Sequence, residues 1–141
     1  MILFIDDSVD MGPFIRVIIE KGYSVDWAGN FDDAIDSLEF DPGANKYSAI
    51  ILDLAMSNEG LPDSKEVLKL AEEVYSGWAF YVYVLKEYPL LQKNTIILSG
   101  VPEGFMKKIG ENEYSKLNVV KKGYGDIDKV IELLVKFRVY K

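Results

Sequence analysis

The chain has 141 residues, with 16 Lys and Arg against 23 Asp and Glu and a net charge of −7. That is the size of one domain, and its charge repels a phosphate backbone, which argues against nucleic acid as a direct partner. With 49% apolar residues and neither Cys nor His, the chain can bury a core. It cannot form disulfides, thiolate or imidazole metal sites, a Ser-His-Asp triad or a phosphohistidine of its own.

Residues 1–5 (MILFI) form a short apolar run ended by Asp6 and Asp7, the pattern of a buried parallel strand. The two acids also rule the run out as a signal-peptide core. A helix follows over 11–21, with Phe14, Ile15, Ile18 and Ile19 at helical spacing and Gly22 as its stop. Residues 23–28 alternate as a strand. A second helix covers 31–40, with Asn30 as cap and Asp41, Pro42 and Gly43 as terminator. Strands three, four and five are expected over 47–54 (YSAIILDL), 95–99 (TIILS) and 117–120 (LNVV), with a helix near 104–113 between the last two. Residues 126–140 close the chain as an amphipathic helix, with Ile127, Val130, Ile131, Leu134 and Phe137 on one face. The longest apolar run, 78–85, is too short to span a bilayer, and a cytoplasmic location is expected.

Strands alternating with helices imply an α/β fold: a flavodoxin-like, doubly wound sheet of five parallel strands in the order 2-1-3-4-5, as a single domain over 1–141. In that order strands one and three are neighbours, and their C-terminal ends open into one crevice. Asp6, Asp7 and Asp53 would meet there. Taken singly, each acid reads better as a helix cap or a solvated loop residue. Three together repel one another, and a hard divalent cation relieves that repulsion, with oxygen-only ligands suiting Mg²⁺. Ser99 ends the fourth strand and Lys121 follows the fifth, and the same order brings both to this crevice. Carboxylate, metal, hydroxyl and ammonium are what a phosphoryl group in transfer requires.

FIDD at 4–7, IILDL at 50–54, IILSG at 96–100 and VVK at 119–121 together make the chain resemble the receiver domain of two-component response regulators. The resemblance covers essentially the whole chain. It implies Asp53 as phosphoacceptor, Asp7 as a direct Mg²⁺ ligand, Asp6 as one acting through water and the Ala55 carbonyl as a backbone ligand. It implies Ser99 bonding the phosphoryl oxygen and Lys121 pairing with it. The implied donor is a histidine kinase or phosphotransfer protein. Output would pass to a downstream protein or a second copy, with no enzyme activity beyond self-phosphorylation and self-dephosphorylation.

Three features depart from the family. The residue after the lysine, commonly Pro behind a cis bond, is Lys122. A non-proline cis bond costs about 3 kcal/mol, so a trans bond is expected, with Lys121 displaced or its loop adjusted. The position of the family's switch aromatic holds Asn118, so no aromatic relay from Ser99 is expected. Asp53 and Ser99 lie 46 positions apart, longer than usual, while Ser99 and Lys121 lie an ordinary 22 apart. The excess falls at about 57–76, between Asp53 and Gly77. Val67, Ala71, Val74, Trp78, Tyr81, Leu85 and Tyr88 share one helical stripe. They predict one N-terminally extended third helix over 64–88, capped by Asp63 or Ser64, that projects past the crevice as a docking surface or folds back on the core.

The alternative function is a degenerate receiver that binds partners without phosphorylation, which Lys122 and Asn118 favour. A haloacid dehalogenase-type phosphatase needs a second Asp where Ala55 stands. A nucleotide or flavin binder needs a glycine-rich phosphate loop that the first strand lacks.

Overall fold

The computed structural model describes residues 1–40 and 46–141. The expected terminator at 41–43 lies outside them. Strands β1 (Ile2–Ile5), β2 (Val25–Ala28), β3 (Ala49–Asp53), β4 (Thr95–Ser99) and β5 (Asn118–Lys121) form one parallel sheet in the order β2-β1-β3-β4-β5. The central strands β1, β3 and β4 are buried along their whole length, as strands covered on both faces must be. On one face Ile2, Phe4, Ile51, Leu98 and Val120 pack against α1 (Gly12–Glu20) and the C-terminal helix Ile127–Lys136. On the other, Leu3, Ile5, Ile50 and Leu52 pack against α2 (Phe31–Glu39) and the segment that follows β3. Asn30 caps α2 as expected, its side chain accepting from Asp33 N–H at 2.7 Å.

The third helical region is extended ahead of Gly77, but it is not one rod. Ser64 Oγ accepts from Val67 N–H at 3.2 Å and starts α3 (Lys65–Glu73). The helix then breaks at Val74 (φ −117°, ψ −90°) and Tyr75 (φ −156°, ψ 152°). It restarts as α4 (Ser76–Ala79) and continues through a π turn (Phe80–Val84) and a 3₁₀ turn (Leu85–Glu87). The in-phase stripe missed the break because the cause is tertiary. In a continuous helix Gly77 N–H would bond Glu73 C=O, but here it donates to Leu54 O, at the end of β3, at 2.9 Å. Gly77 packs so closely on β3 that a Cβ there would stand 2.3 Å from Asp53 O.

The break also redirects the apolar stripe. Val67 and Ala71 of α3, with Leu61 ahead of it, are buried on the α2 side beside Phe31 and Ala34. Trp78 is buried on the other side against Phe105 of the helix Pro102–Ile109, with ring centroids 5.4 Å apart. Of the two expectations for this insert, folding back on the core is the one realised, and α3 does not project as a free rod. After β4 come α6 (Pro102–Ile109) and α7 (Glu111–Tyr114), divided at Gly110 (φ +91°), and α8 (Ile127–Lys136) ends the fold; the short α5 (Pro89–Lys93) precedes β4. All described peptide bonds are trans, that between Lys121 and Lys122 included.

Gly77→Ala is expected to destabilise the protein by about 2 kcal/mol, a fall of roughly 8 °C in Tm, because backbone cannot yield to the added methyl as a flexible side chain would. Gly12→Ala, with nothing within 4 Å of its Cβ, should change stability by less than about 1 kcal/mol. Equal Tm values for the two variants in thermal denaturation would show that the contact of Gly77 with β3 does not constrain the fold.

Candidate phosphoryl and metal site

The register pairs Ile5 with Leu52, so the residues that follow, Asp6 and Asp53, leave adjacent strands side by side. Asp6, Asp7 and Asp53 each offer an oxygen, and these oxygens lie within 4.8 Å of one another. Asp6 is fully buried, Asp53 is 4% exposed, and Asp7 faces solvent. Asp6 Oδ1 accepts from Ser8 N–H at 2.8 Å, and its backbone oxygen accepts from Trp27 Nε1 at 2.8 Å. Asp53 Oδ1 accepts from Ala55 N–H at 3.3 Å.

The cation at the acids is Lys122, not the expected Lys121. Lys122 Nζ lies 3.0 Å from Asp6 Oδ2 and 3.4 Å from Asp53 Oδ2, whereas Lys121 is exposed at the end of β5. Strand periodicity gives the reason. Phe4, Ile51 and Val120 share one face of the sheet, and two residues further along each strand come Asp6, Asp53 and Lys122. Lys121 falls on the opposite parity. Lys122 N–H also donates to Ser99 O at 2.8 Å, which ties the start of the loop to β4.

Ser99 is buried at the end of β4, and its Oγ accepts from Val101 N–H at 3.2 Å. Asn118 lies at the other end of β5 and its side-chain N–H donates to Thr95 O at 3.4 Å, so it has no part in the crevice.

Burial, and then the charge of Asp6, push the Asp53 carboxyl up from its ordinary 3.8 to about 6, against the opposing pull of Lys122. Burial draws Lys122 down, but its close ion pair with Asp6 and the charge of Asp53 outweigh that and hold it above its usual value. The donors suit a hard divalent cation: they are oxygen alone, and the buried Asp6 Oδ2 has no aligned hydrogen bond beyond its ion pair.

A raised Asp53 means that the folded protein binds more protons than the unfolded chain between about pH 4 and 6. Stability is therefore lost as pH rises through that window and is level above it. In metal-free protein, Asp53→Asn should be the more stable form at pH 7, by up to about 3 kcal/mol, with the advantage vanishing near pH 4. Chemical denaturation at the two pH values reads the difference. A less stable Asn variant at pH 7 would mean that Lys122 dominates burial and the charge of Asp6.

No family model matches the sequence, and no curated protein matches it. Solved structures match it by shape. NtrX from Brucella abortus in complex with ATP superimposes with a TM-score of 0.64 at 19% identity, over 98% of this chain and 27% of that one. A response regulator protein from Burkholderia pseudomallei, with a phosphorylated aspartic acid, calcium ion and citrate, gives 0.59 at 22% identity over 94% of this chain and 65% of that one. The Francisella response regulator 1452 receiver domain gives 0.57 at 20% identity over 99% and 98%. The chain thus spans about a quarter of NtrX, less than two thirds of the Burkholderia protein and nearly all of the Francisella domain. Its five-stranded parallel sheet in the order 2-1-3-4-5 is the fold of response regulator receiver domains.

Proposed function

We propose that residues 1–141 act as a phospho-receiver. In this reading Asp53 accepts a phosphoryl group from the phosphorylated imidazole of a histidine kinase or phosphotransfer protein. The observation that carries the reading is a buried carboxylate at the end of the central strand, grouped with two further acids and beside an ammonium. The phosphorylated aspartic acid and calcium ion of the Burkholderia protein, which shares the fold, support it.

In the reaction a bond forms from an Asp53 carboxylate oxygen to phosphorus while the bond from phosphorus to the donor's imidazole nitrogen breaks. At about 6 the Asp53 carboxyl is mostly ionised at neutral pH and can attack. Asp6, Asp7, Asp53 and the Ala55 carbonyl would hold Mg²⁺, which when bound neutralises charge on the phosphoryl oxygens. Lys122, already beside Asp53, pairs with a phosphoryl oxygen in the role the family resemblance carries to Lys121. The Ser99 Oγ accepts from Val101 N–H, which leaves its hydroxyl hydrogen to donate to another phosphoryl oxygen. The chemistry goes no further than self-phosphorylation and self-dephosphorylation. Output passes by protein contacts in the cytoplasm to a target protein or a second copy. Among the described residues no helix is long and apolar enough to cross a membrane.

Intact mass after incubation with acetyl phosphate and Mg²⁺ should show one added phosphoryl group, and none on Asp53→Asn. Lys122→Met should slow the reaction about tenfold or more, the loss of one charge-assisted contact, while Lys121→Met stays within about twofold. The reverse order would return the role to Lys121. A wild-type protein that binds Mg²⁺ but is not labelled would instead be a phosphorylation-independent binding module.

A further inference from the structure

The segment 57–75 departs from the sheet after β3 and returns to it at Gly77, and a buried hydroxyl bridges its two ends. Ser76, 4% exposed, accepts from Met56 N–H at 3.0 Å. Its Oγ lies 2.7 Å from Met56 O and 3.2 Å from Leu54 O. A hydroxyl has one hydrogen, which goes to the nearer oxygen, that of Met56.

The Met56 N–H belongs to the same planar peptide as the Ala55 carbonyl, and in a trans peptide these two groups point in opposite directions. Anchoring the N–H on Ser76 therefore fixes the direction of the carbonyl. The preceding peptide is held as well: Leu54 O accepts from Gly77 N–H at 2.9 Å, and Ala55 N–H donates to Asp53 Oδ1 at 3.3 Å. Both peptides around Ala55 are thus pinned, one of them by a side chain 20 positions further along the chain.

We propose that Ser76 is a positioning residue that holds the Ala55 carbonyl as the backbone ligand of the divalent cation. This rests on the reading of Asp6, Asp7 and Asp53 as a metal site. It makes the base of the insert part of the crevice's machinery and not only a splice.

The test compares wild type, Ser76→Ala, Ser76→Thr and Leu38→Ala by Mg²⁺ titration calorimetry, Tm and amide hydrogen exchange at Met56. Leu38 is buried near the end of α2, at the sheet edge away from the crevice, and its truncation controls for lost stability alone. Ser76→Ala should lose about tenfold in Mg²⁺ affinity and speed Met56 exchange at least about tenfold. Ser76→Thr should restore both, and Leu38→Ala should lower Tm while leaving both unchanged. Wild-type Mg²⁺ affinity in folded Ser76→Ala, or an unprotected Met56 amide in wild type, overturns the proposal alone. A wild-type protein that takes up no Mg²⁺ overturns the metal reading and this proposal with it.

Discussion

Two buried carboxylates stand side by side at the ends of adjacent parallel strands, and much of the local structure follows from keeping them there. Strands β1 and β3 must be neighbours for Asp6 and Asp53 to meet. Burial first, and then the charge of Asp6, push the Asp53 carboxyl up to about 6. The Lys122 ammonium, within 3.4 Å of both, supplies one positive charge against two negative ones. The crevice is thus left short of positive charge. A divalent cation or an incoming proton would relieve that shortage.

The insert after β3 is bound into the same region. Gly60 approaches the start of α2 so closely that a Cβ would stand 2.4 Å from Asp32 N, and Leu61, Val67 and Ala71 extend the core on that side. At its other end Tyr75 meets Phe105 of α6 edge to face, with centroids 6.1 Å apart, and Lys108 sits over the Tyr75 ring. The insert therefore reaches from α2 to α6, and its base is fastened to the peptides next to Asp53 by Ser76 and Gly77. Asn118, engaged with Thr95, has no part in these contacts.

The strands, their order and the meeting of Asp6, Asp7 and Asp53 were legible because each rests on a local pattern. Apolar runs ended by acids mark buried parallel strands and place the acids at the edge where such folds bind ligands. The cap at Asn30 was legible for the same reason, since a side chain three residues away satisfies a free N–H, whereas for the third helix the sequence admits both Asp63 and Ser64 and the structure chooses Ser64. The extended helix misled because periodicity reports which residues are apolar, not which neighbour covers them. Val67 and Trp78 fit one stripe, yet they are buried against different helices.

The sequence by itself determined the sheet, the cluster of acids and the presence of a lysine and a serine at its rim, because strand ends and composition place these groups whatever the details of packing. It could not choose between Lys121 and Lys122. Val119 and Val120 are both apolar, so alternation along β5 does not say which of its faces turns toward α1 and α8. Only the register of β5 on β4, with Ser99 opposite Lys121, and the burial of Val120 beside Phe4 and Ile51 decide it. The break before Gly77 has a similar origin. A single hydrogen bond from Gly77 to Leu54, 23 residues back, overrides a helical pattern that every local signal supports. Such a bond depends on where β3 ends in space, and that position exists only once the sheet is assembled.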